Sequence, residues 1–300
     1  MNYIFILLLI IISYVLYSFL NKGMNDKDNK LKKYKSANNT HLSKYIDYIH
    51  SNQYKNKITT VKNVDKSTFK KIYLSSLQNI PEQFLKMLNN YTKYADNIFY
   101  MNKLYALRDI KWKFILSINK LEAGMPYTID TYIVINIEML YKKYIKFIKN
   151  PEYIDIYFLD TLIHEKIHIL QRLHQDKFNK FYYKKYPFIH SKINVTDLPI
   201  KLKKIYMTNP DSNSDIWLYK HDNQIIYPIL VKNNRIFKDK GYDNKTLKYI
   251  NLQSIKDYYN IPDNISIYHP NEIFAYTFTD NLINNNVNQT DIHFVKSLSR

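Results

Sequence analysis

Hydrophobic and polar positions form long blocks along the chain, and these blocks predict its organisation. Residues 3 to 20 carry no charge, and a helix over these 18 residues would extend roughly 27 Å, enough to span a bilayer. Residues 21 to 65 are polar and rich in Lys and Asn, with a short helical pattern at residues 42 to 50. We therefore expect a membrane anchor over residues 1 to 20, a basic tether over residues 21 to 65 and a folded domain over residues 66 to 300.

Apolar periodicity predicts several helices and a strand in the first part of the domain. A helix opens at Pro81 with Phe84, Leu85 and Leu88 on one face, and a further apolar segment covers residues 112 to 118. The β-branched and aromatic run at residues 131 to 136 predicts a strand, and a helix follows at residues 137 to 149. Another helix is predicted at residues 154 to 172. Its apolar surface consists of Phe158, Leu159, Leu162, Ile163, Ile167 and Leu170.

From residue 176 onward the pattern becomes irregular and rich in β signals. A basic aromatic patch around Phe178 and Tyr182 precedes several prolines and strand-like runs at residues 216 to 219 and 225 to 231. Helical patterns return at residues 271 to 281 and 289 to 298. We expect an α+β domain with an upper part over residues 66 to 175 and a lower part, with a β insertion, over residues 176 to 300.

Composition narrows the class of protein. With 46% hydrophobic and 16% aromatic residues, the chain can bury a core, which excludes global disorder. The net charge is +18, but the lysines are scattered through nearly every segment and no nucleic-acid-reading motif accompanies them, so specific nucleic-acid binding is not expected. Cysteine is absent, so a metal ion would be held by His and carboxylate side chains.

The flanks of the apolar segment predict its orientation. Six lysines follow it within residues 22 to 35 and no Lys or Arg precedes it. By the positive-inside rule, the body should face the cytosol, with the apolar segment retained as a single-pass anchor because no small-residue cleavage site follows. The same lysines could rest on anionic headgroups. The pattern predicts no oligomeric state.

The chemistry is concentrated in the predicted helix at residues 154 to 172. His164 and His168 are four residues apart, so both imidazoles project from one face and can reach one metal ion. Glu165 lies about 100° around the helix from His164, where it can approach a metal-bound water without displacing a histidine. The run His164-Glu165-Lys166-Ile167-His168 therefore predicts a zinc site with Glu165 as general base.

A catalytic zinc ion commonly has three protein ligands and one open position, so a third ligand is needed. His174 follows His164 by the spacing of metzincins, but Gln171 stands where that pattern has a glycine. On an uninterrupted helix His174 would lie about 15 Å along the axis from His164 and some 80° off its face. The second candidate is Glu272, which follows Asn271 at a predicted helix start with Asn271 as N-cap.

Here the sequence resembles the gluzincin metallopeptidases, the thermolysin-like and aminopeptidase-like group. In that family H-E-x-x-H on one helix is completed by a glutamate from an N-E-x-x-A/S motif on a second helix, and the run from Asn271 to Ala275 fits this motif. The resemblance implies His164, His168 and Glu272 as zinc ligands and Glu165 as general base. It also implies an α+β zincin-like domain, behind the N-terminal transmembrane helix, that hydrolyses a peptide or protein substrate.

Further roles and rival functions follow from the same segments. Gln171 could contact a ligand or the substrate, Tyr276 and His269 could steady an oxyanion, and the strand at residues 131 to 136 resembles the edge strand on which zincins hold an extended peptide. Aminopeptidase, endopeptidase and amidase activities are not separated by the sequence. One rival is a catalytically degenerate zincin that acts as a membrane-tethered binding or structural protein. The others are a metzincin-like site with His174 and a basic membrane protein that contacts nucleic acid or lipid and whose histidines are incidental.

Overall fold

Helices and strands are mixed along the chain, which confirms the predicted α+β class. The structure, a computed structural model, describes residues 39–58, 64–212, 215–233, 236–284, 286 and 288–299. Within these ranges, no helix combines the length and apolar character that crossing a bilayer requires. The predicted anchor at residues 1 to 20 lies outside the described residues, as do residues 21 to 38 and 59 to 63 of the predicted tether.

Five helices were predicted after residue 66, and all five are present. Two further helices of eight or more residues, Lys66–Ser75 and Gln175–Lys185, were not predicted, and the second corrects the irregular and β-rich structure expected after residue 175. Helices occur throughout the described residues. Those of eight or more residues are α1 (Asn39–Tyr48), α3 (Lys66–Ser75), α4 (Glu82–Met101), α6 (Ile137–Lys149), α7 (Ile156–Leu173), α8 (Gln175–Lys185), α11 (Pro270–Ile283) and α12 (Gln289–Ser297). The short ones are α2 (Tyr54–Lys57), α5 (Tyr105–Arg108), α9 (Ile200–Lys203) and α10 (Gln253–Tyr258). In α4, Phe84 and Leu88 are buried as expected, but Leu85 is 41% exposed and lies outside the apolar face.

The upper sheet has four strands, β1 (Leu77–Gln78), β2 (Phe114–Ser117), β3 (Tyr127–Ile129) and β4 (Tyr132–Asn136), in the order β1-β2-β4-β3. Strands β2 and β4 run parallel, and the other pairs are antiparallel. Strand β4 is the predicted strand, but its predicted place at the sheet edge is wrong. Its residues after Tyr132 are all buried, and an apolar strand of this kind lies inside a sheet with neighbours on both sides. The two edge strands are β1 and β3, and β3 is the one that pairs with β4.

The lower sheet is a five-stranded antiparallel meander of β5 (Ile189–Asn194), β6 (Asp215–His221), β7 (Gln224–Asn233), β8 (Ile236–Asp243) and β9 (Tyr249–Ile250). The two predicted strands fall inside β6 and β7. Asp222 and Asn223 join them with positive φ angles of 46° and 61°, which is the backbone of a two-residue hairpin turn favoured by Asp and Asn.

Helix α7 lies at the centre of the fold. It packs against strands β3 and β4 and against helices α4, α5, α8 and α11. All of its residues from Leu162 to Gln171 are buried, as expected for a helix covered on every side. Its N-cap, Asp155, accepts a hydrogen bond from the Phe158 N–H. The motif histidines therefore lie in a fully buried stretch of this central helix.

The predicted boundary between tether and domain is wrong for residues 43 to 58. Contacts divide the chain into residues 1 to 42 and a compact unit over residues 43 to 300. Ile46, Ile49 and Ile58 are buried in that unit, and Lys57 forms a buried ion pair with Glu122. Most residues of this stretch are polar, so its composition predicted a tether, although its few isoleucines form an apolar stripe that packs into the core.

Candidate metal centre

Two histidines and a glutamate converge from two helices that are distant along the chain. His164 Nε2 and His168 Nε2 on α7 lie 2.9 Å apart. Glu272 Oε2 on α11 lies 3.5 Å from His164 Nε2 and 3.6 Å from His168 Nε2. In a tetrahedral zinc site, with ligands at about 2.0–2.1 Å from the ion, neighbouring ligand atoms are separated by about 3.3 Å. The group His164, His168 and Glu272 fits this arrangement and could hold a metal ion.

The local sequence explains why these three atoms meet. The four-residue spacing of His164 and His168 puts both rings on the face of α7 that packs against α11. Helix α11 begins at Pro270, and its N-cap is His269, whose Nδ1 accepts a hydrogen bond from the Asn271 N–H at 3.1 Å. The predicted N-cap, Asn271, is therefore wrong, because the observed N-cap is His269, two residues earlier. Glu272 remains in the first turn, where the helix dipole favours a carboxylate.

Outer contacts fix the histidine rings. The His168 Nδ1–H donates to Gln171 Oε1 at 2.7 Å, which leaves His168 Nε2 as the free donor atom toward a metal. Gln171 Nε2 in turn donates to the Asn271 carbonyl and to the Tyr182 hydroxyl, both at 2.9 Å. Gln171 therefore contacts a candidate ligand and ties α7 to α11.

The second oxygen of Glu272 is held by two residues outside the motifs. Asn209 Nδ2 and the Tyr268 hydroxyl each donate to Glu272 Oε1 at 3.1 Å, and Asn209 also bonds to the Tyr268 hydroxyl. These bonds orient the carboxylate so that Oε2 faces the two imidazoles. Sequence reasoning missed both residues, because neither belongs to a motif and Asn209 lies in an irregular segment.

The charges of the group favour a bound cation. Burial alone would raise the pKa of Glu272, but His168 and His164 outweigh burial and hold the pKa of this carboxyl well below its usual range. Burial lowers the pKa of His168, and the carboxylates of Glu272 and Asp211 outweigh it and raise that pKa to about 10. The site therefore attracts positive charge, and a metal ion and a proton compete for His168 Nε2.

Glu165 is a buried carboxylate beside this group. It is 5% exposed, and its Oε2 has no hydrogen-bond partner among the described residues. Burial, and then the charge of Asp211, raise the pKa of Glu165 well above its usual range. A buried carboxylate oxygen that accepts no hydrogen bond lowers the stability of the fold. Such a group is typical of a catalytic acid or base.

A second network holds the carboxylate of Asp211 beside Glu165. The Thr128 N–H donates to Asp211 Oδ1 at 3.0 Å, and Arg172 Nη2 lies 3.7 Å from the same oxygen. Arg172 also donates to the Asp130 carbonyl at 2.5 Å and to Thr128 Oγ1 at 2.8 Å. The end of α7, the edge strand β3 and the segment Pro210–Ser212 are thereby joined. This network was also missed, since its members are scattered along the sequence.

The candidate group opens into a cleft of about 400 Å³, a size typical of ligand sites. The cleft is lined by His164, Glu165 and Glu272, by Tyr276, and by Met125 just before the edge strand. The Tyr276 ring lies against His164 with ring centroids 4.3 Å apart. Burial, and then the charge of Glu272, raise the pKa of Tyr276, so its hydroxyl keeps its proton at neutral pH.

Two other histidines considered from the sequence lie elsewhere. His174 ends α7 as its C-cap and lines a different cavity, with Lys111 and Leu298. The helix runs unbroken through Gln171, as expected without a glycine there, so His174 is not brought to His164 and His168. His269 caps α11, and burial lowers its pKa to about 3. It lines a small cavity beside Trp217 and is not among the residues that line the cleft.

Comparison with known proteins adds no family assignment. No protein-family model matches the sequence, and neither the curated proteins nor the solved structures give a match. Function is therefore inferred from the chemistry of the site.

Proposed function

We propose that this protein is a zinc-dependent metallopeptidase of the gluzincin type, with a zincin-like domain attached to a membrane by the N-terminal apolar segment. Zinc would be held by His164, His168 and Glu272, and Glu165 would act as general base. The observation that carries the proposal is the convergence of His164, His168 and Glu272 beside the buried Glu165 carboxylate at one cleft.

The donor set supports zinc over harder cations. Two imidazole nitrogens and one carboxylate oxygen are typical zinc ligands, whereas magnesium and calcium prefer sites made of oxygen alone. Three protein ligands leave one coordination position open, which is typical of catalytic rather than structural zinc sites. Gln171 and Asn209 supply the outer hydrogen bonds that such ligands need.

A zinc ion bound there supplies a Lewis acid and lowers the pKa of its water to about 7. Glu165 Oε2, which has no competing donor among the described residues, accepts the proton of the attacking water and later passes it to the leaving amine. The raised pKa of Glu165 suits a group that both accepts and returns a proton near neutral pH. The Tyr276 hydroxyl, beside His164, donates to the oxygen of the scissile carbonyl as negative charge develops on it.

The test is hydrolysis of a mixture of internally quenched peptides by the full chain in detergent micelles. We expect the zinc-loaded protein to cleave some of them and the chelator-treated protein to cleave none until zinc is restored. Glu165→Gln is the matched variant, because it keeps the size of the side chain and removes the base. We expect it to retain zinc and lose turnover by more than about 100-fold. Equal turnover in Glu165→Gln would remove Glu165 from this role.

A further inference from the structure

The charge of the cleft is opposite to the charge of the whole chain. The chain carries a net charge of +18, yet among the described residues that line the cleft Lys57 is the only lysine or arginine. The carboxylates that line it are those of Glu122, Asp160, Glu165, Asp211, Asp239 and Glu272. A substrate that enters the cleft therefore meets a negative field inside a positively charged protein.

Half of these carboxylates already have a cationic partner. Glu122 pairs with Lys57, Asp211 with Arg172 at 3.7 Å, and Glu272 with the two imidazoles. The other half comprises Asp160, Glu165 and Asp239. Within the described ranges no lysine or arginine lies at ion-pair distance from any of these three.

Asp160 and Asp239 approach the cleft from different elements. Asp160 is half-buried on α7, one turn before His164. Asp239 is half-buried on β8, where the Ser266 hydroxyl donates to its Oδ1 at 2.7 Å and the Ile267 N–H to its Oδ2 at 2.6 Å. These bonds fix the Asp239 carboxylate toward the cleft but bring no positive charge.

The carboxylates without a cationic partner line the same cleft as the candidate metal group. Asp160, Asp239, Glu165 and Glu272 line this cleft together with Tyr276. Tyr276 lies against His164, so the negative field converges beside the candidate metal group. There the oxygen Glu165 Oε2 is buried and unpartnered among the described residues and lines the same cleft.

A half-buried carboxylate without a counter-ion is unfavourable, and a cation that enters the cleft removes that cost. We propose that the cleft selects peptides with a lysine or arginine side chain close to the cleaved bond, and that Asp160 and Asp239 determine this preference. This inference rests on the proposed peptidase function and names its substrate class. An acidic side chain at the same position would meet the repulsion of both carboxylates.

The experiment compares peptides that differ at one position and are acetylated and amidated at their ends. Lysine, norleucine and glutamate are placed in turn at each position flanking the cleaved bond, and kcat/KM is measured with the zinc-loaded full chain. We expect the best lysine peptide to exceed its norleucine counterpart by about tenfold, equivalent to about 1.4 kcal/mol, and the glutamate peptide to fall below both. The lysine preference should shrink as salt is raised, because screening weakens it.

Asp160→Asn and Asp239→Asn should each reduce the lysine preference, so that the ratio of kcat/KM for the lysine peptide to kcat/KM for the norleucine peptide falls toward one. Asp222→Asn is the matched control, since it removes the same charge from a side chain that is 81% exposed and outside the cleft, and it should leave the ratio unchanged. Binding of the lysine peptide to Glu165→Gln, measured without turnover, should show the same dependence on Asp160 and Asp239.

The outcomes separate the inference from the proposed function. Cleavage of all three peptides at equal kcat/KM would overturn the inference and leave the peptidase intact. Unacetylated norleucine peptides carry a positive charge only at their N-terminal amine. If they are preferred as strongly as the lysine peptides, the assignment of the preference to a side chain is overturned. Absence of cleavage of any peptide by zinc-loaded protein would count against the proposed function itself.

Discussion

The buried ion pair between Lys57 and Glu122 gives a quantitative prediction for stability. Lys57 is 2% exposed, and its Nζ contacts Glu122 Oε2 and the Thr208 carbonyl. Lys57→Met leaves a buried carboxylate without its counter-ion, which typically costs about 3–5 kcal/mol. The hydroxyls of Tyr45 and Tyr73 still donate to Glu122 Oε1 at 2.8 and 3.0 Å. We therefore expect Lys57→Met to lower the free energy of unfolding by about 3 kcal/mol, the lower end of this range.

The assay is urea unfolding of the full chain in detergent micelles, followed by the fluorescence of Trp112 and Trp217. Lys66→Met is the matched control, because Lys66 and Asp47 form a pair at 3.4 Å in which both side chains are 53% exposed. Lys66→Met should lower the free energy of unfolding by no more than about 1 kcal/mol. Equal losses in the two variants would refute the reasoning, as would a loss below about 1 kcal/mol in Lys57→Met.

Three further predictions concern the metal centre. Asn209→Ala removes a donor to Glu272 Oε1 and should weaken zinc binding by about tenfold or more in chelator competition; unchanged affinity would contradict the role given to Asn209. Gln171→Leu removes the acceptor for the His168 Nδ1–H and should weaken zinc binding by a similar factor, about tenfold, in the same measurement. Tyr276→Phe should keep zinc and lower kcat by about tenfold or more, and a change in KM alone would assign Tyr276 to substrate binding instead.

Much of the fold was predictable because its signals are local. The bounds predicted for α6, residues 137 to 149, coincide with those observed, since Asn136 caps its start with a hydrogen bond from the Glu138 N–H and Asn150-Pro151 follows its end. The apolar positions of α7 recur at helical spacing, so they predicted its burial. Periodicity of this kind depends on neighbouring residues alone and is visible in one sequence.

The contacts between distant segments were not predictable in the same way. Strand β4 forms a local hairpin with β3, but its place inside the sheet depends on β2, which pairs with its other side from an earlier segment of the chain. Residues 43 to 58 looked like a tether because polar residues dominate their composition, although Ile46 and Ile49 form an apolar stripe that the core covers. Composition averages over such a stripe and conceals it.

In the candidate metal group, too, the part that depends on local spacing was predictable and the part that depends on distant segments was not. The pair His164 and His168 follows from spacing within one helix, whereas Glu272 was connected to that pair through a resemblance between motifs. The structure brings Glu272 Oε2 within 3.6 Å of both imidazoles. Asn209 and Tyr268, which hold the other oxygen of Glu272, carried no local signal, because their importance arises only when separate segments meet.

The metal content of the purified full chain tests the central claim most directly. We expect elemental analysis to find about one zinc ion per chain in the unaltered protein. His164→Ala and Glu272→Ala should lose that zinc, while His174→Ala should keep it. Protein without stoichiometric metal, or loss of zinc in His174→Ala alone, would contradict the assignment of His164, His168 and Glu272 as the ligands.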